Sequence, residues 1–202
     1  MATTWIKPTY AHKRYNKKTT IKRKIDYIID RGKTNLSNVE GFGEVGGHGQ
    51  ENENTNTTAF ASINAYAQNP GKAENSELVT GYECFPEYAD EQFATSMELY
   101  ERNTGRKQKD NSILVYHLRQ SFAPGEVDPR IANRIGYEMA LEFTGSNHAF
   151  VVATHTNTAH IHNHVIVCAF NLDCTGKFKD PWRSGKRVLA KISDKLCKEY
   201  GL

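Results

Sequence analysis

At 202 residues the chain has the length for one domain with a real core and is short for two. An apolar share of 38% and a charged share of 24% are those of a soluble protein with a modest core, and no apolar run approaches the roughly 20 residues of a membrane span. The net charge of +3 hides an asymmetry. Residues 1–33 carry Lys7, Lys13, Arg14, Lys17, Lys18, Lys22, Arg23, Lys24, Arg31 and Lys33 against Asp26 and Asp30, whereas residues 40–101 are rich in Glu and nearly lack cations. A basic end of this kind suits a polyanion, most simply nucleic acid, the alternative being a solvated terminus. Cys84, Cys168, Cys174 and Cys197 form no C-x-x-C pair and follow no secretory signal, which argues against a disulfide framework or a thiolate zinc site and for reduced thiols in the cytoplasm.

In chain order, "TTWIKP" reads as a strand, and "TTIKRKIDYIIDRGKT" as a helix over about 20–31 closed by Gly32. Residues 35–77 are polar and rich in Gly and Asn, and read as a long loop or insertion with a short helix near 59–67. "LVTGYEC" is a further strand. A helix over about 89–102 follows, with Phe93, Met97 and Tyr100 at core spacing. "SILVYHLRQSF" alternates like a strand, and Asp128 with Pro129 opens a helix. "AFVVATH" and "HIHNHVIVCAF" are two strands joined across 156–159, and "KRVLAKISDKLCKEY" is a closing amphipathic helix. This order predicts an α+β fold: a single domain with a central, mainly antiparallel sheet flanked by helices.

The strand "HIHNHVIV" places His160, His162 and His164 on one side, away from Ile161 and Val165, and predicts that this side is no apolar core. The hairpin returns His155, so that His155, His162 and His164 converge. Three neutral imidazoles make a divalent-metal site with coordination positions open for a substrate; surface or hydrogen-bonded histidines are the plainer alternative. His160 reads as a supporting or phosphate-contacting group rather than a ligand.

With those residues in hand, the chain resembles conjugative relaxases of the MobA/VirD or MobP class, nucleases of the HUH endonuclease group. "KIDYIIDRGKT", "LVTGYEC", "YHLRQSFAPGEV" and "ATHTNTAHIHNHVIV" stand in the family's order. The resemblance implies an HUH-relaxase-like fold and single-strand nicking at the transfer origin of a plasmid or conjugative transposon. It also implies a 5′-phosphotyrosyl intermediate and Mn²⁺, Mg²⁺ or another transition metal held by the histidines. It further implies single-stranded and hairpin origin DNA, accessory relaxosome proteins and a type IV secretion coupling protein as partners, and a bacterial cytoplasmic protein that can travel with DNA. Residues 1–202 would be the nuclease domain of a protein with a larger C-terminal region. Two positions depart from the family's pattern: Asn157 replaces an acid, leaving an amide that orients His155 but takes no proton, and Glu83 stands where relatives commonly carry Asn. Glu83 either adds a carboxylate near the site or has no chemical part.

Ten tyrosines compete as nucleophile. Ile21, Ile25, Ile28 and Ile29 form one helical arc, while Tyr27 falls off it among Arg23, Lys24 and Arg31 with Thr20 in line, so Tyr27 is not a core residue. An ordinary phenol, with a pKa of about 10, is ionised to about one part in a thousand at pH 7, a deficit of roughly 4 kcal/mol that cations and a metal on the phosphate would offset. Arg14, Lys17, Lys18, Lys22, Arg23, Lys24 and Arg31 would follow the DNA backbone, with Tyr10 and Tyr15 available for stacking. Thr19, Thr20, His117, Gln120 and Ser121 are weaker candidates for touching phosphate or placing Tyr27. Two rival readings are a three-histidine hydrolase or oxygenase acting on a small molecule, and a non-catalytic module that binds the origin.

Overall fold

The computed structural model describes residues 2–11, 16–30, 32–34, 78–178 and 185–202. The loop and short helix expected within 35–77, and Arg14, Tyr15 and Arg31, lie outside the described residues. In chain order the elements are β1 (Thr3–Tyr10), α1 (Lys17–Ile28), β2 (Val79–Tyr82), α2 (Ala89–Thr104), β3 (Ile113–Ser121), α3 (Pro129–Thr144), β4 (Phe150–His155), β5 (His162–Cys168) and α4 (Gly185–Glu199). The strands form one sheet in the order β1-β3-β5-β4-β2, with every pairing antiparallel. This is the expected α+β domain.

Both faces of the sheet are covered. Ile6, Leu118, Val152, Val165 and Val167 meet Ile135, Met139, Leu189 and Leu196 of α3 and α4 in one apolar cluster. Val115, Val151, Ala153, Ile166 and Cys168 meet Ile21, Ile25 and Ile28 of α1 and Phe93 and Met97 of α2 in the other. Burial on both sides explains why the central strands read as nearly unbroken apolar runs. It also corrects one expectation. The side of β5 that carries His162 and His164 continues into Ile166 and Cys168, which are buried, so the polar patch occupies only one end of that face. Alternation reveals which face a residue takes and says nothing of how far along the strand the helices reach.

α1 begins earlier than expected and ends sooner. Asn16 caps it, its side chain accepting from Thr19 N at 2.7 Å, and Thr20 Oγ1 donates back to the Asn16 carbonyl at 3.2 Å. At the other end the stop comes from Asp30 rather than from Gly32. The Asp30 carboxylate accepts from Gly32 N at 3.0 Å, and its carbonyl accepts from Lys33 N and Thr34 N. α3 opens as expected, with Asp128 accepting from Arg130 N and Ile131 N and Pro129 in the first turn. The four cysteines are free thiols, and burial pushes Cys84 and Cys168 up to about 12. Among the described residues no helix is long and apolar enough to cross a membrane.

Candidate metal centre and nucleophile

Register builds the site. His155 at the end of β4 lies directly opposite His162 at the start of β5, and His164 follows two residues on, on the same face. One ring nitrogen from each of His155, His162 and His164 lies within 4.8 Å of the others. The ring centroids are 4.4 to 5.1 Å apart. β5 begins at His162, so His160 belongs to the preceding turn rather than to the strand, against the sequence reading. Its role there is to fasten: His160 Nδ1 donates to the Phe122 carbonyl at 3.2 Å, and its own carbonyl accepts from His162 Nδ1 at 2.9 Å.

Each of the three rings has one nitrogen engaged. His155 Nε2 donates to the Ile28 carbonyl at 2.8 Å, His162 Nδ1 to the His160 carbonyl, and His164 Nδ1 lies 2.7 Å from His117 Nε2. A carbonyl only accepts, so the proton of His155 sits on Nε2 and that of His162 on Nδ1, leaving His155 Nδ1 and His162 Nε2 with lone pairs. If His164 Nδ1 donates to His117, its Nε2 is free in the same way. Among the described residues no buried side-chain nitrogen or oxygen lacks a hydrogen-bond partner. Burial, above all, depresses the pKa of His155 and His117 to about 4. His162 and His164 are lowered for the same first reason, with neighbouring imidazoles adding to it. Neutral, fixed imidazoles with converging lone pairs fit a divalent cation, and each ring is oriented by a partner behind it, as metal-binding histidines ordinarily are.

Tyr27 stands over this cluster. It is 50% exposed while Ile21, Ile25 and Ile28 are buried. Its ring centroid is 5.7 Å from that of His164 and 6.2 Å from that of His155. Tyr100, the competitor on a core face, is buried against Phe170. A cleft of about 620 Å³ runs from Tyr27 past His162 and His164 to Arg119, Ser121 and Thr3. Lys33, absent from the sequence candidates, places Nζ 4.2 Å from the centre of the Tyr27 ring and donates to the Tyr27 carbonyl at 3.4 Å. The Lys33 carbonyl accepts from Thr156 N at 2.7 Å, which ties the end of α1 to the turn after His155.

The remaining candidates divide. Ser121 sits opposite His162 and lines the cleft. Thr19 and Thr20 start α1 through Asn16. Asn157 is exposed in the turn after Thr156, and the group that orients His155 is the Ile28 carbonyl. Glu83 is not brought to the histidines. Tyr82 pairs with Phe150, so Glu83 leaves β2 at the end of β4 opposite His155. The cations of α1 are partly committed as well: Lys18 pairs with Glu98 at 2.8 Å, and Lys22 with Asp26 and Asp90, each at 3.5 Å. The pairs to Glu98 and Asp90 link α1 to α2. Lys17 and Lys24 are half-buried, and Arg23 is exposed.

Behind the histidines lies a feature that sequence reading passed over. Asn163, between His162 and His164, points to the opposite face, fully buried. Its Nδ2 donates to Gln120 Oε1 at 2.9 Å and to the Ala132 carbonyl at 2.6 Å, and its Oδ1 accepts from Thr154 Oγ1 at 2.7 Å. The network continues from Gln120 to Ser193, and from Thr154 to Asn133 and Thr80. α3 comes close enough to join it only because residue 136 is glycine: a Cβ there would lie 2.5 Å from Asn163 Nδ2. An Asn flanked by histidines and followed by "VIV" was the available signal.

An α+β sheet that holds three neutral imidazoles beside an exposed phenol has the arrangement expected of HUH-type nucleases. The family model of the MobA/VirD2-like relaxase nuclease domain matches residues 66–202, and the chain belongs to this relaxase family. The matched span takes in the three histidines, His117 and Asn163; Tyr27 lies before it. The chain is similar to the group II intron-interrupted relaxase LtrB of Lactococcus lactis subsp. cremoris, 32% identical over 178 residues, or 73% of this chain and 32% of that protein. It is likewise similar to a Protein rlx of Staphylococcus aureus, 33% identical over 129 residues, or 64% of this chain and 38% of that protein. The chain thus spans about a third of the length of these relatives.

Proposed function

We propose that this domain nicks one strand of DNA at the transfer origin of a plasmid or conjugative transposon by transesterification through Tyr27. The Tyr27 oxygen forms a bond to phosphorus, and the bond from phosphorus to the 3′ oxygen breaks. The phenol gives up its proton, the departing oxygen takes one to become a free 3′-hydroxyl, and the 5′ phosphate stays on the tyrosine. The covalent link conserves the phosphodiester for later rejoining. The observation that carries this reading is the edge-on approach of the exposed Tyr27 ring to His155 and His164.

His155, His162 and His164 would hold a divalent cation, Mn²⁺ or Mg²⁺. Such a cation, when bound, supplies positive charge to the scissile phosphate. The protein's own groups do the rest. The Lys33 ammonium lies over the Tyr27 ring and holds its backbone carbonyl, which fixes the phenol beside the imidazoles. The Ile28 and His160 carbonyls and the His117 ring orient the imidazoles. Residues 1–202 act as the nuclease domain, in the bacterial cytoplasm, on single-stranded origin DNA beside a hairpin, with accessory relaxosome proteins and a secretion coupling protein as partners of the longer protein. The cleft bounded by Tyr27, Arg119, Ser121, His160, His162 and His164 is open to solvent and does not suit the closed pocket of a small-molecule enzyme.

The test is incubation with labelled single-stranded oligonucleotides spanning candidate transfer origins, with Mn²⁺ or Mg²⁺, read on a denaturing gel. A covalent adduct that disappears in Tyr27→Phe is expected. No adduct on any origin, or one that survives that substitution, would overturn the reading.

A further inference from the structure

We infer that the part of the sheet between the imidazoles and the edge strand β1 is a binding surface for single-stranded DNA, on which Trp5 stacks an unpaired base and Arg119 meets a phosphate. The inference rests on the nuclease reading and goes beyond it, since it assigns DNA contacts to β1 and β3 rather than to the cations of α1.

The register of three strands puts the parts in rows. Thr3, Ser121 and His162 are cross-strand neighbours, as are Trp5, Arg119 and His164, and Lys7, His117 and Ile166. Directly paired residues project to one face, so Trp5, Arg119 and Lys7 share the face of the metal centre. The cleft itself runs from Tyr27 to Arg119 and Thr3 without interruption. Two strand spacings, roughly 10 Å, separate His164 from Trp5. A strand whose phosphorus lies at the imidazoles therefore reaches Trp5 with a nearby nucleotide.

The chemistry of the row suits that occupant. α1 and α2 pack on β3, β4 and β5, burying Val115, Ile166 and Val151, whereas Trp5 remains 38% exposed and Lys7 and Arg119 are exposed too. An indole left in water on an edge strand forgoes burial that a stacked base would restore. Its ring is already held, edge-on to His117 with centroids 5.6 Å apart. Unlike Lys18 and Lys22, neither Arg119 nor Lys7 forms an ion pair with a described residue. An aromatic platform between two uncommitted cations, continuous with a phosphate-handling centre, is the composition of a single-strand groove. A duplex offers no free base face to Trp5.

The test is fluorescence anisotropy of fluorescein-labelled dT20 with this domain in EDTA, over a series of salt concentrations. Trp5→Ala should weaken binding by between about fivefold and a hundredfold, with Trp5→Phe restoring most of it, because a phenyl ring still stacks. Arg119→Ala should weaken binding and flatten the salt dependence by about one counterion. Thermal melting of each variant separates lost binding from lost folding. Wild-type affinity for dT20 in both alanine variants would overturn the inference, as would a Trp5→Ala loss equally large on a blunt duplex. A Tyr27-dependent adduct together with wild-type binding by Trp5→Ala sinks this surface alone. Stacking-dependent dT20 binding with no adduct on any origin sinks the nuclease reading instead.

Discussion

The two faces of β5 at its first three residues are opposites. On one, His162 and His164 turn to a cleft, each with one nitrogen engaged by a partner behind it. On the other, Asn163 has its amide donor and acceptor engaged within a sealed polar network. Buried polar groups are costly unless paired, so a closed network rigidifies, while a set of fixed groups with unused lone pairs is capacity held for a ligand. The contrast says that holding and reacting are divided between adjacent residues of one strand, and that the divide can be tested from both sides.

The largest effect is expected on the open face. His164→Ala should lower Mn²⁺ affinity, measured by titration calorimetry, by at least about a hundredfold, since losing a group that merely orients a ligand typically costs tenfold to a hundredfold. Its unfolding free energy in urea should fall by only about 1 kcal/mol, since His117 alone loses a partner. On the closed face, Asn163→Ala should do the reverse in kind, destabilising by about 3 kcal/mol because Gln120, Thr154 and the Ala132 carbonyl lose a partner in the interior. Comparable losses of stability in both variants would show that the division does not exist. His117→Ala tests the support of the open face. If its Nε2 fixes the proton of His164 on Nδ1, metal affinity should fall tenfold to a hundredfold, with partial rescue by His117→Gln, whose amide oxygen also accepts. An unchanged Co²⁺ absorption spectrum and affinity would remove that role. The smallest effect is expected at Lys33→Met, where a half-buried cation over a ring is worth about 0.5–1 kcal/mol; the rate of adduct formation should drop about twofold to fivefold with metal affinity intact.

Much of this was legible in the sequence because it depends on local periodicity. Period two grouped His162 with His164, the hairpin read across 156–159 returned His155, and the wheel of α1 separated Tyr27 from Ile25 and Ile28. What was illegible depends on register between distant segments. Glu83 lies only a few residues from Val79, which pairs with Ala153 near the site, yet the strand carries it to the wrong end. Trp5 and Arg119 are 114 positions apart in sequence and adjacent in space. Lys33 reaches Tyr27 through a turn set by Asp30, and a turn has no period to read. The start of α1 was misplaced because the cap is Asn16, four residues before the Thr20 taken as its beginning.

One hydrogen bond has reach beyond geometry. The His155 ring donates to the carbonyl of Ile28, the residue that follows Tyr27. The free energy of filling the imidazole centre and that of docking the last turn of α1 are therefore linked, and linkage is reciprocal. Amide hydrogen exchange in that turn should slow when a cation is bound and quicken in a chelator, and a tyrosine trapped on DNA should in turn tighten the grip on the ion.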